Sequence, residues 1–99
     1  MAQFDVHALA GGPSLVIDCQ SDLLDHIESR FVVPLVPRDD AVPPAGRLNP
    51  VFEIGGKDYV MLTQSSGAVR RRDLGPTLES LANRDREIVN ALDVLITGV

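Results

Sequence analysis

Val51-Phe52-Glu53-Ile54-Gly55-Gly56-Lys57-Asp58-Tyr59-Val60-Met61-Leu62-Thr63 is the stretch that decides the fold. Val51–Ile54 and Lys57–Thr63 are strand-like segments on either side of two glycines. A tight primed turn needs positive φ at both central positions, which two glycines accept without steric cost. The stretch therefore predicts an antiparallel hairpin. Upstream, Gln3–Leu9 alternates loosely, with Phe4, Val6 and Ala8 against Asp5, His7 and Leu9, and Ser14–Cys19 carries Leu15, Val16 and Ile17. Gly11-Gly12-Pro13 between them is a turn signal, so these segments predict a second hairpin. Phe31–Val36 is a third strand candidate. Pro34 inside it cannot donate to a ladder and points to an edge, a bend or a bulge. Arg38–Asn49, with Asp39, Asp40, Pro43, Pro44 and Gly46, reads as a loop. Downstream, Ser65-Ser66-Gly67 predicts a turn and Ala68–Arg72 a last strand.

The final quarter changes period. Pro76 and Thr77 open a short helical turn, and Asn83 is placed to cap a longer helix through its side-chain oxygen. That helix runs from Arg84 to about Ile96, with Asp85 and Glu87 in its first turn and Gly98 to end it. Ile88, Ala91, Leu92 and Leu95 form a core stripe, while Val89, Val94 and Ile96 lie outside it. A helix apolar on most of its circumference calls for burial on more than one side. Either the extra residues stay on the surface, or a second subunit covers them.

Composition narrows the function classes. The chain has 99 residues, 9 basic and 14 acidic, for a net charge of −5. This length suits one domain, here residues 1–99, and the 44% apolar content suits a folded one. A lone domain of this size buries only about 60–65% of its unfolded surface, which favours an oligomer. The negative charge argues against general attraction to phosphate backbones. The single cysteine cannot close an intrachain disulfide. The longest apolar run, Phe31–Val36, is broken by Pro34 and far below membrane-spanning length. Without a basic start followed by an apolar stretch, no signal peptide is expected, and the expected location is the cytoplasm.

Few residues invite chemistry. His7, His26 and Cys19 have no spacing that fits a nucleophile–base pair, and Cys19 reads as a small packed residue. Neither histidine has a metal-ligand pattern around it. Asp18, Asp22 and Asp25 do not have calcium-loop spacing; Ser21 and Asp22 read as caps of a short turn. Leu23-Leu24 follows in a polar turn, where one leucine is exposed for contact or both close the barrel end. Arg70-Arg71-Arg72 is the only basic run. In a strand it places Arg70 and Arg72 on one face and Arg71 on the other. Three readings stay open: a solvated edge protected by charge, a dock for an acidic protein segment, or a nucleic-acid contact that lacks interleaved aromatics. No cofactor and no metal is expected.

Taken together, several segments resemble the CcdB family of toxins from toxin–antitoxin modules. They are Gln3-Phe4-Asp5-Val6, Val16-Ile17-Asp18-Cys19-Gln20-Ser21-Asp22-Leu23-Leu24-Asp25, Arg30-Phe31-Val32-Val33-Pro34-Leu35 and Leu48-Asn49-Pro50-Val51-Phe52-Glu53-Ile54-Gly55. Tyr59-Val60-Met61-Leu62-Thr63, Leu81-Ala82-Asn83-Arg84 and Glu87-Ile88-Val89-Asn90-Ala91-Leu92 complete the set. The resemblance implies a mainly β fold with a C-terminal α-helix: an SH3-like antiparallel barrel of the CcdB/MazF/Kid type. It implies a homodimer with the helices near the two-fold axis, which places Val94, Leu95 and Ile96 at the interface.

The resemblance also implies a protein that is not an enzyme. Family members bind the A subunit of DNA gyrase and trap it on cleaved DNA. A CcdA-like antitoxin with an acidic tail releases them, and operator DNA is contacted only through that antitoxin. Gyrase contact carries over to Leu23 and Leu24 and to the helix end: Asp93, Ile96, Thr97, Gly98 and Val99. This end departs from the family pattern Phe-Trp-Gly-Ile. Thr97 stands in place of Trp, and Asp93 in place of a neutral Asn. A buried Trp anchor is worth about 2 kcal/mol or more, so its loss weakens binding about thirtyfold. A homologue with a weakened or changed target is therefore the alternative, and a MazF/Kid-like endoribonuclease the reading from another class. Arg70, Arg71 and Arg72 also depart from the family and are the candidate antitoxin contact.

Overall fold

A computed structural model describes residues 2–10, 14–41 and 43–98. Among these, seven strands form one antiparallel sheet curled into a half-barrel: β1 (Asp5–Leu9), β2 (Leu15–Asp18), β3 (Ser29–Pro37), β4 (Val51–Ile54), β5 (Lys57–Met61), β6 (Gly67–Arg70) and β7 (Leu74–Ser80). The spatial order is β4-β5-β3-β2-β1-β7, with β6 also on β3. One helix, α1 (Asp85–Thr97), follows. No helix among the described residues is long and apolar enough to cross a membrane.

Both expected hairpins form. Val51 pairs with Val60 through Ile54 with Lys57, and Gly55 and Gly56 take φ of +61° and +81°, as a primed turn requires. Val6 pairs with Ile17 and Ala8 with Leu15. The Gly11-Gly12-Pro13 signal lies outside the described residues. Phe4 is not in β1. It is the one described non-glycine residue at positive φ, +71°. Its N–H donates to Asp18 O, its carbonyl accepts from Leu81 N–H at 2.8 Å, and its ring is buried in the core. Bonds on both sides hold this sparsely populated conformation.

Pro34 does not mark an edge: β3 is central, with β2 on one side and β5 and β6 sharing the other. The carbonyl of Pro34 accepts from Leu62 N–H, so its backbone faces the shared side. Between Leu35–Met61 and Val32–Gly67, β3 advances three residues and its partner six, so three residues loop out there. Pro34 therefore sits in the gap between two partners, where no ladder bond needs its missing N–H. The looped segment forms a 3-10 turn, Thr63–Ser65. Thr63 Oγ1 donates to Leu48 O at 2.6 Å, and Asn49 Nδ2 donates to Met61 O and Gln64 Oε1.

The last-strand expectation is corrected at both ends. β6 stops at Arg70, and Arg71–Asp73 is a 3-10 turn. Pro76 and Thr77 lie in β7, not in a helical turn. β7 pairs with β1 through two register shifts, which erase any alternation of apolar residues. Gly75 permits the close approach, since a Cβ there would lie 2.8 Å from Ala8 O. Asn83 is no cap; it lies inside the 3-10 turn Ala82–Arg84, and α1 starts one residue later than expected. Arg84 instead bonds Glu87 and lies 4.8 Å from the Phe52 ring centroid. That hydrogen bond holds the Glu87 carboxyl below its ordinary value. Gly98 ends the helix at φ +81°, its N–H donating to Val94 O.

The core joins Phe4, Val6, Ile17, Val33, Phe52 and Met61 with Ile88 and Ala91 of α1. Leu92 packs against it, but Leu95, expected in the stripe, is exposed. Two charged side chains are also fully buried. Arg30 Nε donates to Asp18 Oδ2 at 2.9 Å, and Nη2 lies 2.7 Å from the same oxygen. Removing one partner strands a buried charge, so Asp18→Ala is expected to cost about 3–5 kcal/mol in urea denaturation. Asp18→Leu combined with Arg30→Met is expected to recover most of that loss.

Candidate functional site

The segment between β2 and β3 is built around the Asp18–Arg30 pair. Asp18 Oδ1 accepts from Gln20 N–H at 3.0 Å, and Cys19 N–H donates to Phe31 O at 2.9 Å. Gln20 spans the segment: its Oε1 accepts from Phe31 N–H, and its Nε2 donates to Leu24 O. Ser21 Oγ accepts from Leu23 N–H, capping the 3-10 turn Asp22–Leu24, and Asp22 Oδ1 accepts from Gln3 N–H. Ser21 thus caps as the sequence predicts, while Asp22 bonds the N-terminal turn. Asp25 lies 3.4 Å from Arg30 and 3.6 Å from Arg71.

This frame holds apolar side chains out to solvent. Leu23 is 88% exposed and Leu24 45%, so neither closes the barrel end. Ile27 and Phe31 are also exposed, and Ile27 N–H donates to Leu24 O. Sequence reasoning did not pick out these two. Phe31 alternates with Val33 and Leu35 as a core residue does, yet it is exposed, with the small Ala68 as its partner on β6.

A second apolar surface is on α1. Ile96 is 76% exposed, with Val89 and Leu95 also out and Val94 half-buried. Asp93, Thr97 and Gly98 are exposed; Val99 lies outside the described residues. Thr97 Oγ1 donates to Asp93 O at 2.7 Å, turning the hydroxyl back onto the helix. The principal neighbours of α1 are the turns Gly46–Leu48, Thr63–Ser65 and Ala82–Arg84. The Asp22–Leu24 turn is not among these principal neighbours.

Of the arginine run, Arg70 and Arg72 are exposed. Arg71 is turned inward, its Nη2 donating to Ile27 O at 3.3 Å beside Asp25. The expected strand-like alternation of the three fails because the strand has ended. His7 is buried, with Nδ1 3.0 Å from Gly75 O. A carbonyl only accepts, so Nδ1 carries the proton. Cys19 is buried, and burial pushes its thiol up to about 12, with Asp18 adding to the shift.

The architecture is an antiparallel half-barrel followed by one C-terminal helix. The structure matches "Endoribonuclease in complex with its cognate antitoxin from Mycobacterial species" with a TM-score of 0.75 at 14% identity, over 95% of this chain and 92% of that one. Residues 3–98 match the family described as CcdB protein, and the chain belongs to the CcdB family, whose members are toxins of toxin–antitoxin modules.

The Cys19 thiol gives a test of its environment. An unfolded thiol ionises near 9.0, while the folded one stays protonated up to about 12. The unfolded state sheds its proton first, so this contribution is complete below pH 9 and is lost as pH rises from 9 towards 12. Cys19→Ala is expected to flatten that fall in stability, compared by denaturation at a series of pH values.

Proposed function

We propose that this protein is the toxin of a type II toxin–antitoxin module that binds the A subunit of DNA gyrase and traps the enzyme on cleaved DNA. It acts by binding, without catalysing a reaction of its own. The working unit is a homodimer in the cytoplasm, with Val94, Leu95 and Ile96 at the two-fold contact. A CcdA-like antitoxin neutralises it, using Arg70 and Arg72 while Arg71 stays bonded to Ile27 O, and operator DNA is met only through that antitoxin.

The observation that carries the reading is the Leu23-Leu24 pair, held out to solvent by Gln20, Ser21 and Asp22 in a chain of the CcdB family. A pre-formed apolar contact loses little conformational entropy on binding. The exposed helix end, Ile96 to Gly98, supports a second contact area. Burial of both Cys19 and His7 supports a binding role, since both are shielded from solvent.

Thr97 favours a weaker grip on gyrase than a Trp-bearing relative has, because its hydroxyl is satisfied within the helix. Thr97→Trp is expected to tighten binding to purified gyrase A subunit about thirtyfold. Leu23→Ala with Leu24→Ala is expected to weaken it, with thermal stability unchanged. Induced in a host carrying its own gyrase, the protein is expected to give DNA breaks and an SOS response.

A second reading, mRNA cleavage, is favoured by the likeness of fold to the mycobacterial endoribonuclease. Rapid mRNA cleavage without DNA breaks would select it. Growth unaffected in that host, with antitoxin binding intact, would select a changed target.

A further inference from the structure

β6 pairs with β3 alone, as Ser29–Arg70, Arg30–Val69, Phe31–Ala68 and Val32–Gly67. Arg71 N–H donates to Glu28 O on the β3 side. Backbone groups alternate along a strand, so Val69 also faces β3, and the N–H and C=O of Ala68 and Arg70 face away. No other strand pairs with that side among the described residues.

Side chains of paired residues share a face. Ala68 and Arg70 therefore lie on the face of Phe31, which Gln20 ties to Leu24. Arg72 follows directly and is exposed, and neither Arg70 nor Arg72 makes an ion pair among the described residues. A free strand edge, an apolar face and two uncommitted cations thus adjoin in a chain of net charge −5.

We propose that the outer edge of β6 takes up an acidic, extended segment of a protein partner as an added strand. Backbone bonds form at Ala68 and Arg70, carboxylates meet Arg70 and Arg72, and alternate apolar side chains reach over the small Ala68 towards Phe31. A second copy of this chain is a poor occupant, because edge-to-edge pairing would bring like arginine clusters together. Arg71 serves differently: bonded to Ile27 O beside Asp25, it fixes the turn next to the edge. The proposal deepens the reading that an acidic antitoxin partner docks on these arginines by naming the mode of docking.

The test uses the full chain and a synthetic ten-residue peptide alternating Glu with Val. With neither gyrase nor antitoxin in the assay, its failure is distinct from failure of the toxin reading. Binding is expected at low salt and to weaken as salt rises, with new protection of the Ala68 and Arg70 amides in hydrogen exchange. Arg70→Ala with Arg72→Ala is expected to weaken binding about tenfold or more. Ala68→Pro removes only the outward donor and is expected to abolish binding while the circular dichroism spectrum is kept. A peptide N-methylated at alternate residues, with the charge unchanged, is likewise expected not to bind. No binding of the parent peptide, equal binding of a Lys–Val peptide or of the N-methylated one, or binding without protection of those two amides would overturn the proposal.

Discussion

The buried pair Asp18–Arg30 is the constraint on which the exposed half of the molecule depends. Neither group touches water, and together they join the end of β2 to the start of β3. A buried ion pair adds little net stability, because desolvation offsets much of the attraction. Its contribution is geometric. With one carboxylate oxygen on Arg30 and the other on Gln20 N–H, Asp18 fixes where the intervening segment leaves and re-enters the sheet. Gln20 then braces that segment from within, and Leu23 stands in solvent on a frame of hydrogen bonds rather than on a loose loop.

The charged groups around this frame divide into two sets. Asp25 and Arg71 are spent on holding the turn, one beside Arg30 and the other on Ile27 O. Arg70 and Arg72 are exposed and make no ion pair among the described residues. Three adjacent arginines thus sit in two different environments, decided by where β6 ends. A like division holds for the apolar residues of α1. Ile88 and Ala91 fill the core, whereas Val89, Leu95 and Ile96 present a face that the protomer itself does not cover.

The parts legible in the sequence were those with a local cause. Gly55-Gly56 declares its turn because positive φ is a property of single residues, and Gly98 declares the helix end for the same reason. The Leu23-Leu24 pair was legible as a candidate contact, but only one exposed leucine was expected, and both are exposed. What stayed hidden depends on distant partners. β7 carries Gly75 and Pro76 and shows no alternation, because its pairing slips twice along β1. Asn83 has the side chain of a cap, yet the chain enters α1 through a 3-10 turn that moves the start past it. The Asp18–Arg30 pair spans twelve positions with no motif between them, and Phe31 looks like core by its alternation although it is exposed.

Pro34 has a consequence that reaches the far side of the molecule. A residue with a free N–H at this place would seek an acceptor from a strand running unbroken along β3. Proline makes no such demand, and the neighbouring chain is released to swing outward at Leu62 before rejoining as β6. The excursion is not idle. Its Thr63 hydroxyl grips Leu48, its Gln64 meets Asn49, and together these two turns form the seat on which α1 rests. A strand position that needs no donor thus lies beside the one place where the partner chain leaves the ladder, and the turn formed there is part of the support beneath the helix that carries Ile96 and Thr97.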